Sequence, residues 1–202
     1  MEVQELRRGV ERWTWEHSGW EERGYLGMSQ IWRCPAELYD FLVDGRGKPG
    51  GRQARYCYEG YLHQRDMMAR LEGMEVLNGS GRELAAEWDE RFRGHTEGEL
   101  EDGTLLEVKS VSTERFAVVK ERKRAAQSHY EQVQMYMLYG GYEEAVVVYK
   151  CRETGEVWPI KVWAHEPTQR RLEDKARAVL AAVDVGERPV CGCGRHGVGS
   201  KE

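Results

Sequence analysis

Apolar residues along this chain recur at two periods, and the places where one gives way to the other predict a succession of helices and strands. Residues 29–42 place Leu38, Phe41 and Leu42 on one helical face, with Pro35 suited to a first helical turn. Residues 52–71 repeat the helical pattern through Tyr58, Leu62, Met67, Met68 and Leu71, and Gly73 closes it. Residues 74–77, 88–100 and 104–110 then read as successive strands of a meander, the last two joined at Asp102-Gly103. The basic run KERKR (120–124) leads into a helix over 125–139 that Gly140-Gly141 stops. Residues 145–151 and 157–163 are β-branched and flank Thr154-Gly155, which predicts a hairpin, and 169–185 forms a last amphipathic helix.

Helix, helix, strands, helix, strands, helix is the order of an α/β or α+β domain with a mixed central sheet flanked by helices. The clearest loop is GRGKPGG at 45–51. Residues 1–25 are charged and carry Trp13, Trp15 and Trp20 at irregular spacing, with Gly19 and Gly24 interrupting any long helix. They are expected to form an appendage that packs on the main domain, 26–188, or docks on a protein partner. A Gly-rich tail, 189–202, carries two cysteines.

The chain has 202 residues, of which 40% are hydrophobic, so one domain with a sizeable core is expected. Without a long apolar run or a basic-then-apolar leader, the reading is a cytoplasmic protein with no membrane attachment. A formal charge of −5 argues against general coating of nucleic acid and leaves a single basic groove open. Cys34, Cys57, Cys151, Cys191 and Cys193 are odd in number and scattered, so they read as buried thiols or ligands rather than a disulfide framework.

The informative segment is Gly94-His-Thr-Glu97-Gly98, followed by Glu107-Val108-Lys109. Strand residues two apart share a face, so Glu107 and Lys109 point together while Val108 packs on the other side, and a turn at Asp102-Gly103 returns Glu97 beside them. Converging carboxylates suit Mg²⁺ or Mn²⁺, and a neighbouring ammonium can orient water or help to deprotonate it, which is the equipment for phosphodiester hydrolysis. Gln132 and Tyr136 share one helical face, from which they could hold Lys109 or a phosphate. Lys120, Arg122, Lys123 and Arg124 lie between the acidic strand and that helix, in place to contact a DNA backbone. His95 points away from the acid next to it, and Arg170 and Arg171 read as surface charges.

An acidic residue after Gly, then nine residues, then E-x-K resembles the PD-(D/E)XK nuclease core, with Glu97 where that family usually has Asp. Gly60-Tyr-Leu-His63, Gln132-Val-Gln134-Met-Tyr136 and the Ser29…Cys34-Pro35 element are similar to the RecB-like exonuclease branch, which includes CRISPR-associated, lambda-type and YqaJ exonucleases. The resemblance covers roughly residues 29–185. It implies a restriction-endonuclease-like fold and a metal-dependent DNA exonuclease of recombination, repair, phage replication (acting then in the host cytoplasm) or CRISPR adaptation. Catalysis would fall to Glu97, Glu107 and Lys109 with Gln132 and Tyr136, and the metal to His63, Glu97, Glu107 and the Val108 carbonyl. A restriction-like or structure-specific endonuclease, and a non-catalytic DNA-binding adaptor, are the alternatives. Some relatives hold an iron–sulfur cluster on one N-terminal and three C-terminal cysteines. Here Cys34, Cys191 and Cys193 leave the fourth place to His196, Cys57 or Cys151, so iron–sulfur, zinc and loss of the cofactor all stay open.

Overall fold

The computed structural model describes residues 3–17, 23–45, 51–191 and 193; most of the GRGKPGG loop, Gly19, Trp20 and His196 lie outside them. The elements are α1 (Val3–Glu16), β1 (Leu26–Gly27), a 3-10 turn (Met28–Gln30), α2 (Pro35–Val43), α3 (Gly51–Gly73), β2 (Leu77–Ser80), β3 (Glu83–Ala86), β4 (Asp89–His95), β5 (Gly98–Leu100) and β6 (Leu105–Val111). They continue with α4 (Thr113–Arg122), α5 (Gln127–Gly140), β7 (Glu144–Cys151), β8 (Val157–Trp163) and α6 (Glu166–Val185). The fold is the expected mixed α/β arrangement flanked by helices, with its strands divided between two sheets. The larger has the order β2-β5-β6-β7-β8 and is antiparallel except where β6 runs parallel to β7; the smaller has the order β1-β4-β3.

The anticipated meander is therefore split. The β3–β4 hairpin leaves the larger sheet and pairs with β1 instead. Gly81, between β2 and β3, makes the crossing possible, because a Cβ there would stand 1.8 Å from the Thr96 carbonyl oxygen. Residues 29–42 are broken rather than one helix: the 3-10 turn is followed by Cys34 in extended conformation at the N-cap of α2 and Pro35 in its first turn. The KERKR run closes a helix instead of opening one. Lys120 and Arg122 sit in the last turn of α4, and Lys123 ends it in the left-handed region at φ 49°. The N-terminal segment is helical over 14 residues, and Trp13 meets Tyr58 of α3 edge-on at 5.5 Å.

Both faces of the larger sheet are covered, so its central strands alternate between two apolar layers. Leu105 and Val111 of β6 join Ala145, Val147 and Tyr149 of β7 in the main core beneath α5 and α6. Leu106 and Val108 pack with Val148 against Met67 of α3 on the opposite face. Leu105 and Leu106 are both fully buried, each side chain contributing about 1.5–3 kcal/mol. That alternation fixes the register of β6, and with it the direction of Glu107 and Lys109. No helix among the described residues is long and apolar enough to cross a membrane.

Candidate active site

Glu107 and Lys109 occupy β6 positions on the α5 side, where Leu105 and Val111 are part of the core. Glu107 is 1% exposed, and a buried carboxylate survives only if its charge is met. One oxygen is met twice: Glu107 Oε1 pairs with the Lys109 ammonium and accepts from Gln132 Nε2 at 2.8 Å. The other, Oε2, is buried with no hydrogen-bond partner.

Glu97 reaches the same place because β5 is short. β5 pairs with β6 only at Gly98↔Leu106 and Glu99↔Leu105, which leaves the next part of the β6 edge open. Into that opening Glu97 turns its carboxylate, accepting the Val108 N–H at 2.6 Å. The N–H and C=O of a strand residue leave on the same edge, so the Val108 carbonyl also faces the Glu97 side. Burial, and then the charge of Glu107, hold the Glu97 carboxyl well above the usual range, against the opposing pull of Lys109 and the Val108 N–H. Burial works against the Lys109 ammonium, but Glu107 and Glu97 outweigh it and keep its pKa above the ordinary lysine value.

Gln132 and Tyr136 do lie together on α5. Gln132 Nε2 also donates to the Tyr136 hydroxyl at 3.1 Å, so the amide bridges the phenol to Glu107 rather than holding Lys109. Tyr136 can approach because Gly94 has no side chain; a Cβ there would stand 2.5 Å from its Cε1.

The structure leaves His63 apart from this group. It lies on α3, which packs on the face bearing Leu106, Val108 and Ser110, and its electrostatic neighbours are Lys150, Arg152, Glu59 and Asp66. Burial, followed by Lys150 and Arg152, lowers its pKa, and Lys150 itself donates to Asp66 at 2.5 Å. His95 is exposed at the end of β4.

A cleft of about 910 Å³ opens over Lys109 and Gln132. Of the basic run, Arg122 and Arg124 line it. Lys120 is held elsewhere, paired with Glu156 and 5.3 Å over the Trp158 ring, and Lys123 is not on the cleft wall. Arg115, His129, Tyr149 and Trp32 are cleft residues that the sequence reading missed. Arg115 stands seven residues before Arg122 and shares its helical face, a signal available only once 113–122 is recognised as helix.

The structure also joins the ends of the domain through Cys34, Cys191 and Cys193, whose sulfur atoms lie within 4.8 Å of one another. Cys34 Sγ is 3.4 Å from Cys191 Sγ, which is 2.8 Å from Cys193 Sγ. Cys151 contacts Thr113 and Glu153 instead, and neither it nor Cys57 joins the trio.

No family model and no curated protein matches the sequence. Solved structures do match the fold. An alkaline exonuclease from Laribacter hongkongensis, LHK-Exo, superposes with a TM-score of 0.66 at 15% identity over 87% of this chain and 93% of that one. The same values hold for LHK-Exo in complex with dAMP. A phage-related exonuclease from Haemophilus somnus 129PT gives a TM-score of 0.56 at 9% identity, covering 80% of this chain and 94% of that one. The chain has the fold of these exonucleases. At such low identity the likeness shows the architecture, in agreement with the fold that the resemblance implied.

Proposed function

We propose that this protein is a metal-dependent deoxyribonuclease acting from DNA ends. The observation that carries the reading is the buried, unpartnered Glu107 Oε2, gathered with Glu97 and with Lys109, which together with Gln132 lines an arginine-bearing cleft. A carboxylate oxygen sealed from water without a donor is costly, and a hard divalent cation is the partner its chemistry suits. Glu97, Glu107 and the Val108 carbonyl are the oxygens that would hold Mg²⁺ or Mn²⁺. Such an ion, when bound, polarises a phosphoryl oxygen and offsets charge developing in the transition state.

The chain's own residues supply the remainder. Lys109, kept cationic by Glu107 and Glu97, orients the attacking water and stabilises negative charge on the phosphoryl group. Gln132 and Tyr136 fix the rotamer of Glu107, so that its second oxygen stays aimed at the ion site. Arg115, Arg122 and Arg124 bind backbone phosphates and present the scissile bond to Lys109. Exonuclease action is favoured by the fold shared with proteins named as exonucleases.

Cys34, Cys191 and Cys193 form a separate thiol site that supplies three ligands for zinc or an iron–sulfur cluster. The described residues supply three of the four ligands that a closed site of either kind takes. Iron and zinc content per chain after anaerobic purification tests this, and Cys191→Ser should lower it.

The nuclease reading is tested with Mn²⁺ and labelled DNA. Linear duplex should be degraded, and Glu107→Ala and Lys109→Ala should each lose at least about a thousandfold in rate, as for groups acting in the transition state. Covalently closed circles should survive. Equal cutting of circles would replace the exonuclease by an endonuclease, and wild-type protein no more active than the variants would favour a non-catalytic DNA-binding subunit.

A further inference from the structure

Two residues on the cleft wall have no part in the mechanism above. His129 lies in the first turn of α5 and Tyr149 on β7, and both line the cleft. The Tyr149 hydroxyl accepts the Ala126 N–H at 3.0 Å and stands 2.9 Å from His129 Nδ1. A phenol has one proton to give, and Nδ1 is the acceptor beside it among the described residues. Tyr149 therefore donates to Nδ1, which leaves the ring's own proton on Nε2. Nε2 has no hydrogen-bond partner among the described residues, yet it is not one of the buried atoms left without one, so it opens onto the solvent of the cleft. Burial, then the charges of Lys109 and Arg115, push the imidazole pKa down to about 3, so the ring is neutral near pH 7.

We infer that Tyr149 and His129 form an uncharged donor that grips a non-bridging oxygen of a DNA phosphate in the cleft, beside the charged grip of Arg115 and Arg124. The inference rests on the nuclease reading for its ligand. The pair differs from the arginines in kind. An arginine on a phosphate releases condensed counterions, so its contribution falls with salt; a neutral N–H releases none, and its contribution persists. Tyr149 is also a positioning residue here, because its proton decides which imidazole nitrogen remains a donor.

Fluorescence anisotropy of a short fluorescein-labelled duplex in EDTA, at salt from about 50 to about 200 mM, separates the contributions without turnover. His129→Phe should raise Kd about five- to tenfold while leaving the slope of log K against log salt unchanged. His129→Gln, whose Nε2 can occupy the place of the imidazole Nε2, should return Kd to within about twofold of wild type. Arg115→Ala should flatten the slope by about 0.9. Unchanged affinity in His129→Phe would overturn the inference. So would a slope flattened by about 0.9 in that variant, which is the mark of a cationic imidazole, or a His129→Gln variant as weak as the Phe one, which is the mark of a ring that only fills space. Degradation by wild type in Mn²⁺ is read separately: intact DNA there would sink the nuclease reading while leaving the binding series interpretable.

Discussion

Replacing Glu97 by Gln removes an ionisable group from the carboxyl pair it forms with Glu107 and keeps an oxygen where the Val108 N–H donates at 2.6 Å. Burial and Glu107 raise the Glu97 pKa in the folded chain, so the unfolded chain gives up this proton more easily. As pH rises from about 4.5, the unfolded state ionises first, and Glu97 costs the fold progressively more stability until its folded pKa is reached. Gln has no such cost, and its amide can donate to the Glu107 carboxylate, a hydrogen bond to charge being worth about 1.5–3 kcal/mol. Allowing for imperfect geometry, Glu97→Gln should stabilise the metal-free protein by about 1–3 kcal/mol near neutral pH, or roughly 2–12 °C in Tm for a chain of this size. The gain should shrink on acidification toward pH 4.5. Mn²⁺ should reverse the ranking: at about a thousandfold excess over Kd it adds about 4.1 kcal/mol to wild type and much less to the variant, which should be inactive. Thermal melts by circular dichroism across pH 5–8, with EDTA or Mn²⁺, read all three effects. A variant less stable than wild type in EDTA at neutral pH, or a wild type that Mn²⁺ leaves unmoved, would refute the description of Glu97 and Glu107 as a strained ion site.

Gln132→Leu should lower the nuclease rate about 10- to 100-fold while Mn²⁺ still activates, because the ligand is loosened rather than lost; single-turnover rates against Mn²⁺ concentration check this. Gly94→Ala should destabilise the fold by about 1–3 kcal/mol, since its Cβ would come 2.5 Å from the Tyr136 ring, and urea unfolding should return part of the loss in Gly94→Ala/Tyr136→Leu. His63→Ala should leave Mn²⁺ activation within about threefold of wild type, because its neighbours are Lys150 and Asp66 rather than the acid pair; a larger rise in the Mn²⁺ concentration needed would return His63 to the metal site.

Much of this was legible in the chain because strand parity is strict. Val108 between Glu107 and Lys109 is enough to put two charges on one face, and the β-branched runs at 145–151 and 157–163 appear as β7 and β8 almost to the residue. What stayed hidden depended on contacts that local pattern does not encode. Phe116 and Val119 are the only core residues of α4, too sparse a stripe to announce a helix beside so many charges, so local pattern places the basic run at the start of a helix when it lies at the end of one. The split into two sheets depends on Gly81 meeting the Thr96 carbonyl, a contact across fifteen residues of chain. For His63, position on a helix before the acidic strands matched the resemblance, but the α3 face that meets the sheet packs against Leu106 and Val108, on the side away from Glu107. The sulfur trio was readable as residues and not as a place, since it joins the N-cap of α2 to a segment more than 150 residues later.

The position of the site follows from one mismatch in strand length. β6 has seven residues and β5 has three, so β6 continues beyond its neighbour on the Glu97 side while β7 pairs with it along its whole length on the other. An edge opened in the middle of a sheet leaves backbone groups that must find partners. Here the Val108 N–H finds the Glu97 carboxylate, and on the proposed reading the carbonyl beside it is one of the oxygens that would hold the cation. Were β5 two residues longer, its backbone would take both groups, Glu97 would have no reason to turn inward, and Glu107 would keep a buried charge with no counterpart but Lys109. Extending the β5 pairing by design, even with every side chain of the site retained, should therefore abolish Mn²⁺ binding, whereas a site held together by side chains alone would survive it.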